Sequence, residues 1–252
     1  MNLTVIGAGP AYTDRPGAVG SAYLLTAGSA ALLLDLGHGA FANLAGTIEP
    51  STLTGVAISH LHPDHFIDLV PLRHYLRYEF EPPRRLAVLA PGALTSRLDA
   101  LLAQPGFSAE ALDVSALSDG ANHDFGDLRL EARKVTHTDD SYAFRVTSGA
   151  VAGSAGLVYS GDCGRADDLR PLIRPGDILL SEVSFGLGPV SPGAQHLDAG
   201  DVGHLASETR VSRILLTHLL SGRDRSGTVA AVERASGGLP VQLVDPGDRF
   251  EL

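Results

Sequence analysis

The stretch SHLHPDH, Ser59 to His65, places three histidines and one aspartate within seven residues. Imidazole nitrogens and carboxylate oxygens crowded in this way suit the binding of divalent metal. In an extended segment alternate side chains share a side, so His60 and His62 converge on one point. Pro63 then turns the chain, and Asp64 and His65 face a second point close by. The spacing therefore implies two metal positions. A polar loop with histidines as caps and surface groups is the bland alternative, and it does not explain this order of residues between a strand and a helix.

Four side chains cannot fill two coordination shells, so further ligands must come from elsewhere. They should stand at strand ends, where rigid backbone holds a side chain that projects into a cleft. His137 after LEARKVT, Asp162 after GLVYSG and His218 after RILLT each close an apolar run. With the first cluster they make five histidines and two carboxylates. That set suits zinc, and also manganese or iron.

The elements that must carry these groups are legible as short apolar runs. LTVI, AYLL, AALLLD, LTGVAI, LAVLA, LRLEARKV, YAFRV, GLVYS, DILLSE, RILLTH and VQLV read as strands. Up to about residue 55, and again around residues 125 to 160, they follow one another through Gly-rich turns, as antiparallel strands do. DLVPLRHYLRYEF, PGALTSRLDALLA, RADDLRPLI, DAGDVGHLASET and GTVAAVERA have helical spacing. HLHPDH is expected on the loop between the strand LTGVAIS and the helix that HFIDLVPL begins. Two groups of strands with helices in each half predict two sheets packed face to face and covered by helices outside.

Composition sets the frame. The 252 residues, 44% of them hydrophobic, can bury a full core, and one domain over residues 1–252 is the simplest reading. The single cysteine, Cys163, excludes an internal disulfide framework and any four-thiolate metal site. The N-terminus lacks a signal-peptide pattern and no apolar run is long enough to cross a bilayer, which predicts a soluble cytoplasmic protein without a membrane partner. A net charge of −10, from 19 basic against 29 acidic residues, argues against a stable nucleic-acid partner.

Some features imitate other sites. GAGPAY holds the first two glycines of a dinucleotide fingerprint, but Tyr12 stands where the third belongs and TDRPG follows in place of a helix. Cys163 is expected as a packed small residue. His38, His74, His123 and His204 lack a partner pattern, and His204 falls off the apolar face of its helix.

The ordered set HLHPDH, His137, Asp162 and His218 resembles the metallo-β-lactamase superfamily over essentially the whole chain. The resemblance implies an α/β fold: a four-layer αββα sandwich of two mixed β-sheets flanked by helices, with a metal pair at one edge. By analogy one ion takes His60, His62 and His137, the other takes Asp64, His65 and His218, and Asp162 bridges them. Asp35, in LLLDLG, matches an aspartate that supports the metal loop from behind. Cys163 does not match the zinc-ligand cysteine of true β-lactamases.

Two further stretches resemble the ribonuclease Z branch: DILLSEVSF with Glu182, and PGAQHLDAGDVGHLA with His196 just before the N-cap candidate Asp198. In that branch the Glu orients the His, and the His meets the scissile phosphate. The long tRNA-gripping arm of that branch is missing, because His137 and Asp162 are joined only by a hairpin with a small-residue turn. The layout looks most like the arm-less bacterial cyclic-nucleotide phosphodiesterase relatives. The resemblance thus implies a dinuclear-metal hydrolase of small phosphodiesters. Two ions would lower the pKa of a bridging water and clamp the attacking and leaving oxygens. Asp64 would orient that water or take its proton, and His196, polarised by Glu182, would protonate the leaving alkoxide or donate to a phosphoryl oxygen. A lactonase, sulfatase or organophosphate hydrolase uses the same ligands, a tRNA 3′-processing endonuclease is disfavoured by the missing arm, and an inert metal-binding module is the non-enzymatic alternative. Relatives of this branch are commonly homodimers, and YLRYEFEPP offers aromatic residues for such a contact.

Overall fold

Burial alternates along the segment Leu128–Lys134: Leu128, Leu130 and Ala132 point inward while Arg129 faces solvent and Glu131 and Arg133 are half-buried, as the two-residue period of an extended chain requires. All five residues of Ala30–Leu34 are buried, because that strand is covered on both faces. These patterns come from a computed structural model that describes residues 1–149 and 154–252.

The first half of the chain runs β1 (Asn2–Gly7), β2 (Ala22–Ala27), β3 (Ala30–Leu34), α1 (Ala40–Thr47), β4 (Gly55–Ala57), α2 (Pro63–Phe66), α3 (Leu69–Tyr78), β5 (Leu86–Ala90), α4 (Leu94–Leu101) and β6 (Leu112–Ala116). The second half runs β7 (Asn122–Phe125), β8 (Leu128–Lys134), β9 (Tyr142–Ser148), β10 (Leu157–Tyr159), β11 (Ile178–Glu182), α5 (Ala199–Thr209), β12 (Arg213–Thr217), α6 (Arg225–Ala235), β13 (Val241–Leu243) and β14 (Arg249–Glu251). One seven-stranded sheet has the order β14-β1-β2-β3-β4-β5-β6, the other β13-β12-β11-β10-β9-β8-β7. Both are mixed: β1 to β3 and β7 to β10 pair antiparallel, β3 to β6 and β10 to β13 parallel.

Three apolar clusters fill the spaces between layers. Leu3, Tyr23, Leu32 and Leu34 of one sheet meet Leu130, Phe144, Tyr159 and Leu180 of the other. Leu33 and Val56 back onto Leu44, Leu72 and Leu98 of α1, α3 and α4, and Val158 and Ile214 back onto Leu205 and Val232 of α5 and α6. The result is the expected αββα sandwich. Tyr23 and Tyr159 pack ring to ring across the inter-sheet space, centroids 4.9 Å apart.

Local readings differ in several places. The first three strands are antiparallel as expected, but β4 runs parallel to β3 because α1 supplies a crossover. RADDLRPLI forms only a 3-10 turn, Ala166–Leu169; Pro171 lacks an N–H and disfavours helix in the residue before it. Asp198 caps α5 as expected, and Asp201 completes a capping box by reciprocating the bond. The turn expected after β9 falls on residues 150–153, outside the described residues. In YLRYEFEPP, Tyr75 and Phe80 pack edge to face at 5.5 Å while Tyr78 is exposed. Among the described residues no helix is long and apolar enough to cross a membrane.

Candidate metal centre

Strand ends deliver the predicted ligands to one edge of the sandwich. His60 and His62 follow β4, His137 follows β8, Asp162 follows β10 through Gly161, and His218 follows β12. The loop expected to hold all of HLHPDH is shorter than its sequence suggests. Pro63, pre-set for a helical φ, opens α2 immediately after His62, so Asp64 and His65 sit on a helical turn. Loops of the first sheet clasp this turn, with Ser21 N donating to the Asp64 carbonyl at 2.8 Å and Leu36 N to that of His65 at 2.7 Å. The approach is so close that a Cβ on Gly37 would lie 1.9 Å from the Asp64 carbonyl oxygen. Only glycine fits there.

The seven side chains gather into two groups sharing one member. His60, His62, His137 and Asp162 offer ligand atoms within 4.8 Å of one another, and so do Asp64, His65, Asp162 and His218. Asp162 faces both: Oδ2 lies 3.7 Å from His60 Nε2 and 3.6 Å from His137 Nε2, while Oδ1 lies 3.4 Å from His65 Nε2 and 3.5 Å from His218 Nε2. The second group is buried throughout, and the first opens to solvent through His62 and His137. Beside His137 a cavity of about 440 Å³ is lined by Lys134, Thr136, Thr138, Asp168 and Gln195, among others.

Hydrogen bonds behind the imidazoles fix which nitrogen faces inward. His65 Nδ1 donates to Asp35 at 2.7 Å and His137 Nδ1 to the Gln195 carbonyl at 2.8 Å. His60 Nδ1 lies 3.1 Å from Ser59 Oγ and His218 Nδ1 lies 2.9 Å from Ser184 Oγ. Each serine spends its own proton on a carboxylate, Ser59 on Asp35 and Ser184 on Glu182, and so accepts from the histidine. Four Nε2 lone pairs therefore point inward, joined by Nδ1 of His62, 3.1 Å from His137 Nε2.

Bare nitrogens and carboxylate oxygens at such distances repel unless a cation stands among them. Buried His60 Nε2 and Asp162 Oδ1 have no hydrogen-bond partner, a cost that ligation removes. The donor set thus fits two divalent ions of the zinc, manganese or iron type. The titration behaviour agrees with that fit. Burial opposes charge on His65, yet the carboxylates of Asp162 and Asp35 raise its pKa well above the ordinary value, the pull that a cation at the same place would also feel. Burial lowers the pKa of His60, His62 and His137, favouring the neutral imidazole that ligates metal. Burial opposes charge on Asp162, but His218 and His65 hold its carboxyl well below the ordinary range.

Asp35 is the hub behind this centre. It is fully buried in the left-handed region, φ 58°, and accepts from Ser59 N at 2.6 Å, Ser59 Oγ at 2.8 Å, His65 Nδ1 and Tyr159 OH at 2.7 Å. Tyr159 reaches it from the opposite sheet. Aspartate tolerates this backbone region better than most residues, and the four donors compensate the strain.

Glu182 and His196 also meet. Glu182 Oε1 lies 2.9 Å from His196 Nδ1, and His196 stands over both groups, 4.0 Å from Asp162 Oδ2 and stacked on His218 with ring centroids 5.9 Å apart. Burial disfavours the imidazolium, but the hydrogen bond and charge of Glu182 outweigh it and raise the His196 pKa. Sequence reasoning missed Ser59, Ser184 and Tyr159. The serines are next to or two residues from a singled-out residue, but a hydroxyl carries no spacing signature.

Cys163 is buried, with its side chain turned away toward the Arg165 carbonyl. A Cβ on Gly7 or Gly9 would collide with the backbone of residues 19 and 20, so those glycines serve chain packing. His204 is exposed on α5.

A double sandwich with a His/Asp cluster at the strand ends defines the metallo-β-lactamase class of proteins. The chain belongs to that superfamily: residues 32–219 match the Beta-lactamase superfamily domain. A protein of Mycobacterium leprae (strain TN) is 32% identical over 258 aligned positions, covering 100% of this chain and 89% of the relative. Among solved structures, the metallo-beta-lactamase fold protein YhfI from Bacillus subtilis superposes with a TM-score of 0.86 at 24% identity over 99% of both chains. Human tRNase Z, short form, superposes with a TM-score of 0.75 at 20% identity over 100% of this chain and 99% of its own.

Proposed function

We propose that the protein is a dinuclear-metal phosphodiesterase that hydrolyses small phosphodiesters such as cyclic nucleotides. His60, His62, His137 and Asp162 would hold one ion, and Asp64, His65, His218 and Asp162 the other. When bound, such a pair acidifies water and offsets negative charge at phosphorus.

The protein's own groups then divide the proton traffic. Asp64 turns Oδ2 toward His218, at 3.0 Å, and leaves Oδ1 free to accept from the attacking water. The leaving alkoxide needs a proton, and His196 is placed to give it. With Nδ1–H held by Glu182, the nitrogen left to donate is Nε2, and the charge of Glu182 favours the imidazolium that donates. This contact is the observation that carries the reading, because a carbonyl hydrolase has less need of a fixed cationic acid beside the candidate ligands.

Two further features support a small substrate. The segment between His137 and Asp162 is short, without room for the tRNA-gripping arm that the resemblance to the ribonuclease Z branch would call for, which favours a small substrate. The cavity beside His137 falls within the range of small-molecule sites.

The test is hydrolysis of 3′,5′-cAMP, 2′,3′-cAMP and bis(p-nitrophenyl) phosphate by zinc- and manganese-loaded protein beside an Asp162→Ala control. Turnover of a cyclic nucleotide that vanishes in the control is expected. No turnover of any of the three with both ions bound overturns the reading in favour of carbonyl or sulfate esters.

A further inference from the structure

Glu182 is fully buried and takes four donors. Oε1 accepts from Cys163 N and His196 Nδ1, each at 2.9 Å; Oε2 accepts from Ser184 N at 3.1 Å and Ser184 Oγ at 2.5 Å. Ser184 is also fully buried, so bulk water has no ready access to its place. A hydroxyl has one proton, and an ionised carboxylate can only accept. The Ser184 proton therefore goes to Glu182, and its lone pairs are left for His218 Nδ1–H at 2.9 Å, with His196 Nδ1–H, held mainly by Glu182, a longer second neighbour at 3.2 Å.

The same wiring occurs on the other half of the molecule. Asp35 backs His65 directly and His60 through Ser59. Glu182 backs His196 directly and His218 through Ser184. Each buried carboxylate thus orients two histidines, one by contact and one through a serine. On the first half both histidines are candidate ligands. On the second, one is the candidate acid and the other a candidate ligand.

We propose that Ser184 is a positioning residue that relays Glu182 to His218, fixing Nε2 as the ligating nitrogen and holding the second ion in register with His196. This rests on the reading that Asp64, His65, His218 and Asp162 bind an ion. Without the hydroxyl, His218 Nδ1–H loses its acceptor in a buried place and the ring is free to rotate or change tautomer. Outer partners of metal-bound histidines typically matter by about 10–100-fold in metal affinity.

The experiment combines calorimetric titration of chelator-stripped protein with Zn²⁺ or Mn²⁺ and long-range ¹H–¹⁵N spectra of the histidines. Wild-type protein should take up two ions and carry the His218 proton on Nδ1. Ser184→Ala should bind one of them about 10–100-fold more weakly while the other is held as before. Two ions in the wild type with an unchanged titration in Ser184→Ala would overturn the relay, and so would a His218 proton on Nε2 in the wild type. The wild-type spectrum decides the point even where the variant does not fold. Uptake of fewer than two ions by the wild type would instead overturn the two-ion reading, and the relay with it.

Discussion

Oε1 of Glu182 holds Nδ1 of His196 at 2.9 Å, and that nitrogen lies 4.0 Å from the Asp162 carboxylate, which faces both histidine groups. His196 belongs to neither of the two groups that contain Asp162. His196→Ala should therefore leave the content of bound ions at the wild-type level while lowering turnover of a cyclic nucleotide by about two to four decades. Elemental analysis beside steady-state kinetics measures both. Wild-type turnover in the variant would remove His196 from the reaction.

Asp35 makes a separate prediction, because it touches no candidate ion directly and still commits four donors. Asp35→Ala leaves those donors buried without an acceptor, and it takes away the counter-charge that raises the His65 pKa. Removing one partner of a buried charged pair costs about 3–5 kcal/mol. Urea denaturation in the presence of chelator should show a loss of that size. Asp35→Asn keeps one oxygen and tolerates the left-handed backbone, so it should retain the fold and bind the ion at His65 about 10–100-fold more weakly. Equal ion affinity in Asp35→Asn would show that the aspartate only supports the fold.

What could be read in the chain and what could not divide along physical lines. The seven candidate ligands stand out because His137, Asp162 and His218 each close an apolar run, and because the order around Pro63 suits two converging sites. Ser59 and Ser184 escape such reading, since a hydroxyl becomes a relay only through which proton it has already given away. Strands β6, β7 and β14 were not legible either. Each is the last strand at a sheet edge, where one side faces water and the apolar alternation fades into LDVSA, NHDF and RFE. Helix α1 opens after Gly39 with AFANLAGT, too short and too rich in small residues to show a stripe.

Stability away from the site should depend on a second buried carboxylate. Asp177 is fully buried and grips Arg145 in a fork, Nε and Nη2 each at 2.8 Å, while also accepting from Gly156 N at 2.7 Å and Arg174 N at 2.8 Å. It stands at the start of β11, and Glu182 at the end. Asp177→Ala should lower the unfolding free energy by about 3–5 kcal/mol through the uncompensated Arg145 charge, with ion uptake unchanged. A urea midpoint equal to that of the wild type would mean that water replaces the carboxylate.

Alkaline pH should destabilise the protein through its buried phenols. Burial raises the pKa of Tyr23, and burial together with the charge of Asp35 raises that of Tyr159 well above the ordinary value. Burial and the nearby Asp140 push Tyr142 up to about 12. In the unfolded chain a phenol ionises near pH 10. Between about pH 10 and 12 the unfolded chain therefore binds fewer protons than the folded one, and stability falls as pH rises. Below pH 10 both states keep these protons, and the phenols contribute no slope. Urea midpoints of chelator-treated protein across that window should decline, and Tyr142→Phe, which deletes one of the titrating groups, should flatten the decline. A decline as steep in Tyr142→Phe as in the wild type would assign the alkaline loss to other groups.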